Sequence, residues 1–283
     1  MNNNTKGIVI TALGVLLMSF ESLFIKLTSI SPFTFSFYLG IFMFISMLLL
    51  LILKQRNIIR EVTKTSFYIF LLCGILMGSA NIFFIWAIKS TTAANVVLII
   101  GTGALFTSFF SYLFYKEKIK LNVLIASFFL FIGLFIIFND KLGVGNLKGN
   151  LLALLCTMTF SLSFVLMSKY TKINRVALTA ITGISLAIIA YFASDTISID
   201  LYNLGVVAVM GLIITPFSRV LIFSGTKFIN ASEVSLLMII ETVMGPIWVW
   251  MVLNEVPSSY TFIGGSIILL TLIVNSMYIM RKE

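Results

Sequence analysis

Four ionisable side chains fall inside long apolar runs of this 283-residue sequence: Glu21, Arg219, Glu233 and Glu241. An ionised group near the centre of a hydrocarbon layer costs at least about 2.5 to 3.5 kcal/mol on insertion scales, so each needs a partner, a wet cavity or a function. Glu241 sits near the middle of ASEVSLLMIIETVMGPIWVWMVLNE, residues 231–255, eight positions after Glu233. On a regular helix these two acids stand about 80° apart around the axis and about 12 Å apart along it. Arg219 and Glu233 differ in depth by only about 5 Å, which predicts an ion pair, read either as a tie between two helices or as a gate that breaks in a conformational cycle. Glu21 and Glu241 find no cation at their own depth. Each is expected either to stay protonated as a neutral hydrogen-bond donor to another helix, or to face a cavity and bind a proton or the cationic part of a solute.

Aromatic and amide side chains supply the rest of a candidate binding set, since a site for an organic solute combines apolar walls with few polar anchors. Trp248 follows Glu241 by seven residues, about 20° away around a helix, and so shares its face. Trp250 points elsewhere. Asn81 and Tyr38 are further candidates, and Trp86 reads as an interfacial anchor.

The elements that position these groups are membrane helices. Hydrophobic residues make up 60% of the chain and charged residues 10%, with a mean hydropathy of +1.12, far from the soluble pattern of roughly 25% charged residues. Runs long enough to cross a bilayer, about 20 residues each, recur at 7–27, 33–53, 67–88, 92–115, 121–138, 149–169, 176–193, 203–223, 231–253 and 260–280. The loops between them are too short for a soluble catalytic or nucleic-acid-binding domain. With the N-terminus inside, fourteen of the 19 basic residues lie in or beside the cytoplasmic segments. The positive-inside bias therefore explains the net charge of +9 without an anionic partner and predicts two cytoplasmic termini. The first run is too long for a signal-peptide core and lacks a cleavage site. Cys73 and Cys156 lie within runs, so no disulfide framework is indicated.

Chemistry is further bounded by what is missing. The sequence has no histidine, the commonest general base and metal ligand, and no GxxxxGK[ST] loop to hold ATP. Neither a cofactor nor a metal is expected, and an enzymatic role is disfavoured.

A weak internal repeat appears at an offset of 138 positions. Lys89, Ala93, Val96, Leu98 and Glu117 return as Lys227, Ala231, Val234, Leu236 and Glu255. Five runs per half force the halves into opposite orientations, which predicts an all-α integral membrane protein of ten transmembrane helices built as two inverted repeats, residues 1–140 and 146–283. Such halves rock about a midplane site in secondary transporters. The offset maps Arg219 onto Asn81 and Glu233 onto Asn95, predicting a neutral polar pair mirroring the charged one. Glu241 maps onto Gly103.

The segment WAIKSTTAANVVLIIGTGALFTSFFSYLFYKEKIKLNVLIASFFLFIGLFII and its echo SGTKFINASEVSLLMIIETVMGPIWVWMVLNEVPSSYTFIGGSIILLTLIV resemble the paired repeats of the drug/metabolite transporter superfamily, EamA type. The resemblance covers the whole chain. It implies a ten-helix metabolite carrier with a central cavity lined largely by spans 1, 3, 4, 6, 8 and 9. Tyr38 stands where related chains often carry an arginine early in the second span.

The expected function is a secondary or facilitative transporter in the cell membrane, monomeric or a homodimer, moving a small metabolite such as an amino acid or vitamin-like compound, with protons as a possible coupling ion. Alternatives are a riboflavin- or nucleotide-like solute stacked on Trp248, or, in a different class, a membrane enzyme acting on lipid intermediates.

Overall fold

The computed structural model describes residues 3–54, 67–116, 121–138, 147–170, 173–225, 227–229, 234 and 237–280, and no strand occurs among them. The first apolar run becomes α1 (Asn3–Met18) and α2 (Glu21–Lys26), followed by α3 (Pro32–Leu53) and α4 (Phe67–Ser90). The fourth divides into α5 (Ala93–Gly101) and α6 (Gly103–Tyr115), and then come α7 (Leu121–Phe138), α8 (Leu147–Lys169) and α9 (Arg175–Ala193). The eighth is α10 (Leu201–Val209), a π-helical turn at Met210–Ile214 and α11 (Thr215–Gly225); α12 (Ile239–Leu253) and α13 (Ser259–Met280) complete the order. Among the described residues, seven stretches are long and apolar enough to cross a membrane, and the shorter apolar helices Ile125–Ile137, Ile240–Leu253 and Ser259–Val274 cover the fifth, ninth and tenth runs. This is an all-helical, multi-pass membrane protein. Helices dominate because hydrocarbon offers no partner for backbone N–H and C=O groups, which must be satisfied within the segment.

Helix starts follow local chemistry. Ser31 accepts a hydrogen bond from the Thr34 N–H ahead of Pro32 at the first helical position of α3, where a missing N–H costs nothing. Thr92 caps α5 through the Asn95 N–H, and Asn174 caps α9 through the N–H groups of Val176 and Ala177. Hydroxyls also close the internal breaks: Ser19 Oγ donates to Leu16 O at 2.6 Å between α1 and α2, and Thr102 Oγ1 donates to Ile99 O at 2.6 Å between α5 and α6. Pro216 cannot donate to the carbonyl four residues back, Leu212 O. That carbonyl, inside the π-helical turn, accepts instead from Ser46 Oγ of α3 at 2.6 Å.

Two helix pairs cross at bare backbone. A Cβ on Gly40 of α3 would meet Gly183 O of α9 at 2.5 Å, and one on Gly264 of α13 would meet Gly133 O of α7 at 2.6 Å. Small residues permit this approach where packing, rather than water exclusion, holds helices together. Around these crossings α1 packs on α11 and α4 on α8, and the buried space between them holds the polar cluster described next.

Candidate functional site

The breaks deliver two carboxyls to the interior. Glu21 occupies the first turn of α2, after Phe20, which provides no side-chain cap. Glu241 occupies the first turn of α12, after Met238, which also provides none. Each acid therefore sits at the positive end of a half-helix, where exposed backbone N–H groups favour negative charge. The π-helical turn immediately precedes α11, which carries Arg219 into the same space.

Arg219 Nη2 lies 3.1 Å from Glu21 Oε2 and 3.3 Å from Asn81 Oδ1. Its Nη1 faces Met18 Sδ, its guanidinium carbon stands 5.8 Å from the centre of the Phe160 ring, and its Nε finds no partner among the described residues. Glu21 is 1% exposed, Arg219 7% and Asn81 5%. Ser218 Oγ approaches Glu21 Oε1 at 3.5 Å, and Asn81 Nδ2 donates to Met77 O at 2.8 Å. A buried pair of this kind is held by its extra hydrogen bonds as much as by Coulomb attraction.

Glu241 is 5% exposed and has no hydrogen-bond or ion-pair partner among the described residues. It borders a central cavity of about 30 Å³ together with Arg219, Asn81 and Phe160. Two carboxyls thus face one guanidinium, and Glu241 is the acid left over. The lining comes from spans 1, 3, 4, 6, 8 and 9, the six that the resemblance implies. Three of its residue pairs, Met18 with Cys156, Asn81 with Arg219 and Ile100 with Met238, stand 138 positions apart. The volume suits a guest of water size and is far below the roughly 300–1,000 Å³ of an organic-ligand pocket.

Several expectations need correction. Glu21 is not an unpaired acid, and Arg219 shares the cavity with Glu241. The depth estimate assumed straight, regular helices, whereas span 1 breaks at Ser19–Phe20 and span 8 contains the π-helical turn. Glu233, the expected partner of Arg219, lies outside the described residues. Asn81 and Asn95 do not form the predicted neutral pair: Asn81 joins Arg219, while Asn95 accepts from Thr261 Oγ1 at 2.6 Å and approaches Asn150.

Trp248 is not among the residues lining the cavity. Its indole stacks on Phe20 at 4.7 Å between centroids, with 15° between planes, and Nε1 donates to Ser19 Oγ at 3.0 Å. Tyr38 is also remote from the cavity lining, its hydroxyl donating to Ile197 O at 2.8 Å. At the end of the bundle nearest Trp248, Lys26 Nζ pairs with Glu255 Oε2 at 2.8 Å, and Glu255 Oε1 accepts from Ala93 N at 2.7 Å. That interlock was missed. The repeat had marked Glu255, but nothing in the sequence tied it to Lys26. Among the described residues no group of His, Cys, Asp and Glu could hold a metal ion.

The EamA-like transporter family matches residues 5–139 and 147–277. An uncharacterized transporter of Clostridium kluyveri is 26% identical over 218 residues, covering 72% of this chain and 70% of that protein. The uncharacterized transporter YdfC of Bacillus subtilis is 24% identical over 187 residues, 62% of this chain and 60% of that one. A solved crystal structure shares the fold with a TM-score of 0.73 over 99% of each chain, at 13% identity.

Proposed function

The chain belongs to the EamA-like transporter family, and from that premise we propose that it moves a small organic solute bearing an amine or other cationic group across the cell membrane by alternating access. The observation that carries this reading is Glu241, a buried carboxyl with no partner among the described residues, beside an acid–guanidinium pair. With both acids ionised, the cluster has one negative charge in excess. Its complement is a single positive charge, supplied by a proton or by the ammonium group of an amino acid or vitamin-like metabolite. A wholly anionic solute finds no free cation there among the described residues, because Arg219 is engaged by Glu21. Met18, Phe84, Phe160 and Met238 provide the apolar walls that an organic amine requires.

Two inverted five-helix halves, spanning ten membrane helices in all with both termini in the cytoplasm, are the architecture this mechanism needs. The meeting of Asn81 with Arg219 at an offset of 138 and the glycine crossings of α3 with α9 and α7 with α13 support that arrangement. Closure to about 30 Å³ fits an occluded stage of the cycle, with Glu21, Asn81 and Arg219 fixing the cavity and Glu241 receiving the cation or the coupling proton. The alternative of an aromatic solute stacked on Trp248 has less support, since Phe20 already covers that face.

The test is a thermal-shift comparison of purified protein with small primary amines, zwitterions and carboxylates at pH 6 and pH 8, because a ligand that binds only the folded state raises apparent stability. Stabilisation by amines or zwitterions and not by plain carboxylates is expected. Stabilisation by carboxylates alone contradicts the reading.

A further inference from the structure

A second cavity of about 30 Å³ adjoins the central one and shares Ile100, Phe160 and Met238 with it. Gly103, Thr157 and Ser161 line its wall, and Ile222 and Val234 carry it toward the end of the bundle where Gly7 packs against Phe228 and Ile229. Thr157 is the counterpart, 138 positions on, of Ser19. The two hydroxyls meet different fates. Thr157 borders open space, whereas Ser19 is covered by the Trp248 indole, which donates to its oxygen and lies flat on Phe20. Farther along the same direction stands the Lys26–Glu255 pair. A second small cavity therefore lies beside Thr157, whereas the space beside its counterpart Ser19 is taken by the Trp248 indole.

The geometry points to Trp248 as the removable seal on the Ser19 side of the central cavity, with the Lys26–Glu255–Ala93 interlock as a second closure beyond it. The assignment rests on the transport reading of the Glu241 cavity and adds the residue that decides toward which face the cavity opens. Trp248 is only partly buried; apolar packing on the edge of the core, one hydrogen bond and one ring stack hold it, with no ion pair and no second side-chain hydrogen bond among the described residues. Two residues earlier Pro246 lies inside α12, where it cannot donate to the Thr242 carbonyl. Beside it, a Cβ on Gly245 would meet nothing closer than 3.4 Å. The helix therefore has a place to bend between Glu241 and Trp248, and a bend there carries the indole off Ser19.

Cys156 lines the central cavity and serves as the reporter, while Cys73, buried in the core outside that lining, is replaced in a Cys73→Ser background. Sealed vesicles of both orientations are treated with a membrane-impermeant cationic methanethiosulfonate. With Trp248 present, Cys156 is expected to react slowly and from one face only, the face on the Gly103 side. Trp248→Ala is expected to raise the rate from the opposite face at least tenfold while changing the first by less than twofold. Trp248→Phe, which keeps a stacked ring and loses the hydrogen bond to Ser19, falls between. The unchanged rate from the first face and the intermediate variant separate unsealing from misfolding. A Trp248→Ala rate within twofold of the parent at the opposite face overturns the assignment, as do equal rates from both faces in the parent or no reaction in either protein. Amine binding and its loss in Glu241→Gln are measured apart from this, so the transport reading and the seal fail separately.

Discussion

Asn81 and Arg219 stand 138 positions apart and meet side chain to side chain, with Nη2 3.3 Å from Oδ1. In a molecule of two similar halves, a residue touches its own counterpart only near the axis that relates them. Met18 with Cys156 and Ile100 with Met238 border the same small space, and under the proposed inverted-repeat arrangement the charged cluster would sit where such repeats place a solute. The offset pairs are chemically unlike: an arginine meets an asparagine, and the residue 138 positions before Glu241 is a glycine.

Arg219→Gln leaves Glu21 buried without its guanidinium. The expected loss is about 3–5 kcal/mol, read as a collapse of thermal stability in detergent. The double variant Glu21→Gln/Arg219→Gln is expected to recover most of it, because the penalty belongs to the charge left alone. A double variant as unstable as the single one contradicts the pairing.

Solute binding is expected to depend on pH through Glu241. A proton and an ammonium group compete for one carboxyl, so apparent affinity for an amine falls as pH drops through the range where Glu241 protonates, approaching tenfold per pH unit. Titrations of a stabilising amine between pH 5 and pH 9 check the sign. Affinity that rises toward acid pH contradicts it.

The helix crossings give a paired test. Gly40→Ala puts a methyl 2.5 Å from Gly183 O and is expected to destabilise by about 1–3 kcal/mol, the usual cost of overpacking. Gly205→Ala meets nothing within 4 Å and is expected to be neutral or stabilising by up to about 1 kcal/mol, since alanine is the better helix former. Melting temperatures of the two variants moving together contradict the close approach.

Ser46→Ala removes the donor to Leu212 O, the carbonyl that Pro216 leaves free. A loss of about 1 kcal/mol is expected. In Pro216→Ala the backbone N–H returns as a rival donor, and the Ser46 effect shrinks. Additive effects in the double-mutant cycle contradict the compensation.

The sequence was legible where periodicity and hydropathy rule. Each of the ten apolar runs coincides at least in part with a helix. Legibility failed where helices are irregular. A regular rise of about 1.5 Å per residue leaves Glu21 with no cation at its depth, whereas the Ser19–Phe20 break and the π-helical turn accompany its pairing with Arg219. The face shared by Glu241 and Trp248 came from the same helical geometry. Seven residues also mean roughly 10 Å along the axis, enough to carry the indole past the end of so small a cavity. The Lys26–Glu255 pair joins residues far apart in sequence, and only the folded packing of spans 1, 4 and 9 brings them together.

The most direct measurement is the thermal shift of Glu241→Gln beside the parent protein, with the amine that stabilises the parent best. At about 100 times its dissociation constant, such a ligand adds about 2.7 kcal/mol to the folded state. The account predicts that this stabilisation disappears in Glu241→Gln while the unliganded variant remains folded. An undiminished shift in a folded Glu241→Gln protein contradicts the assignment of Glu241 as the site that receives the cation.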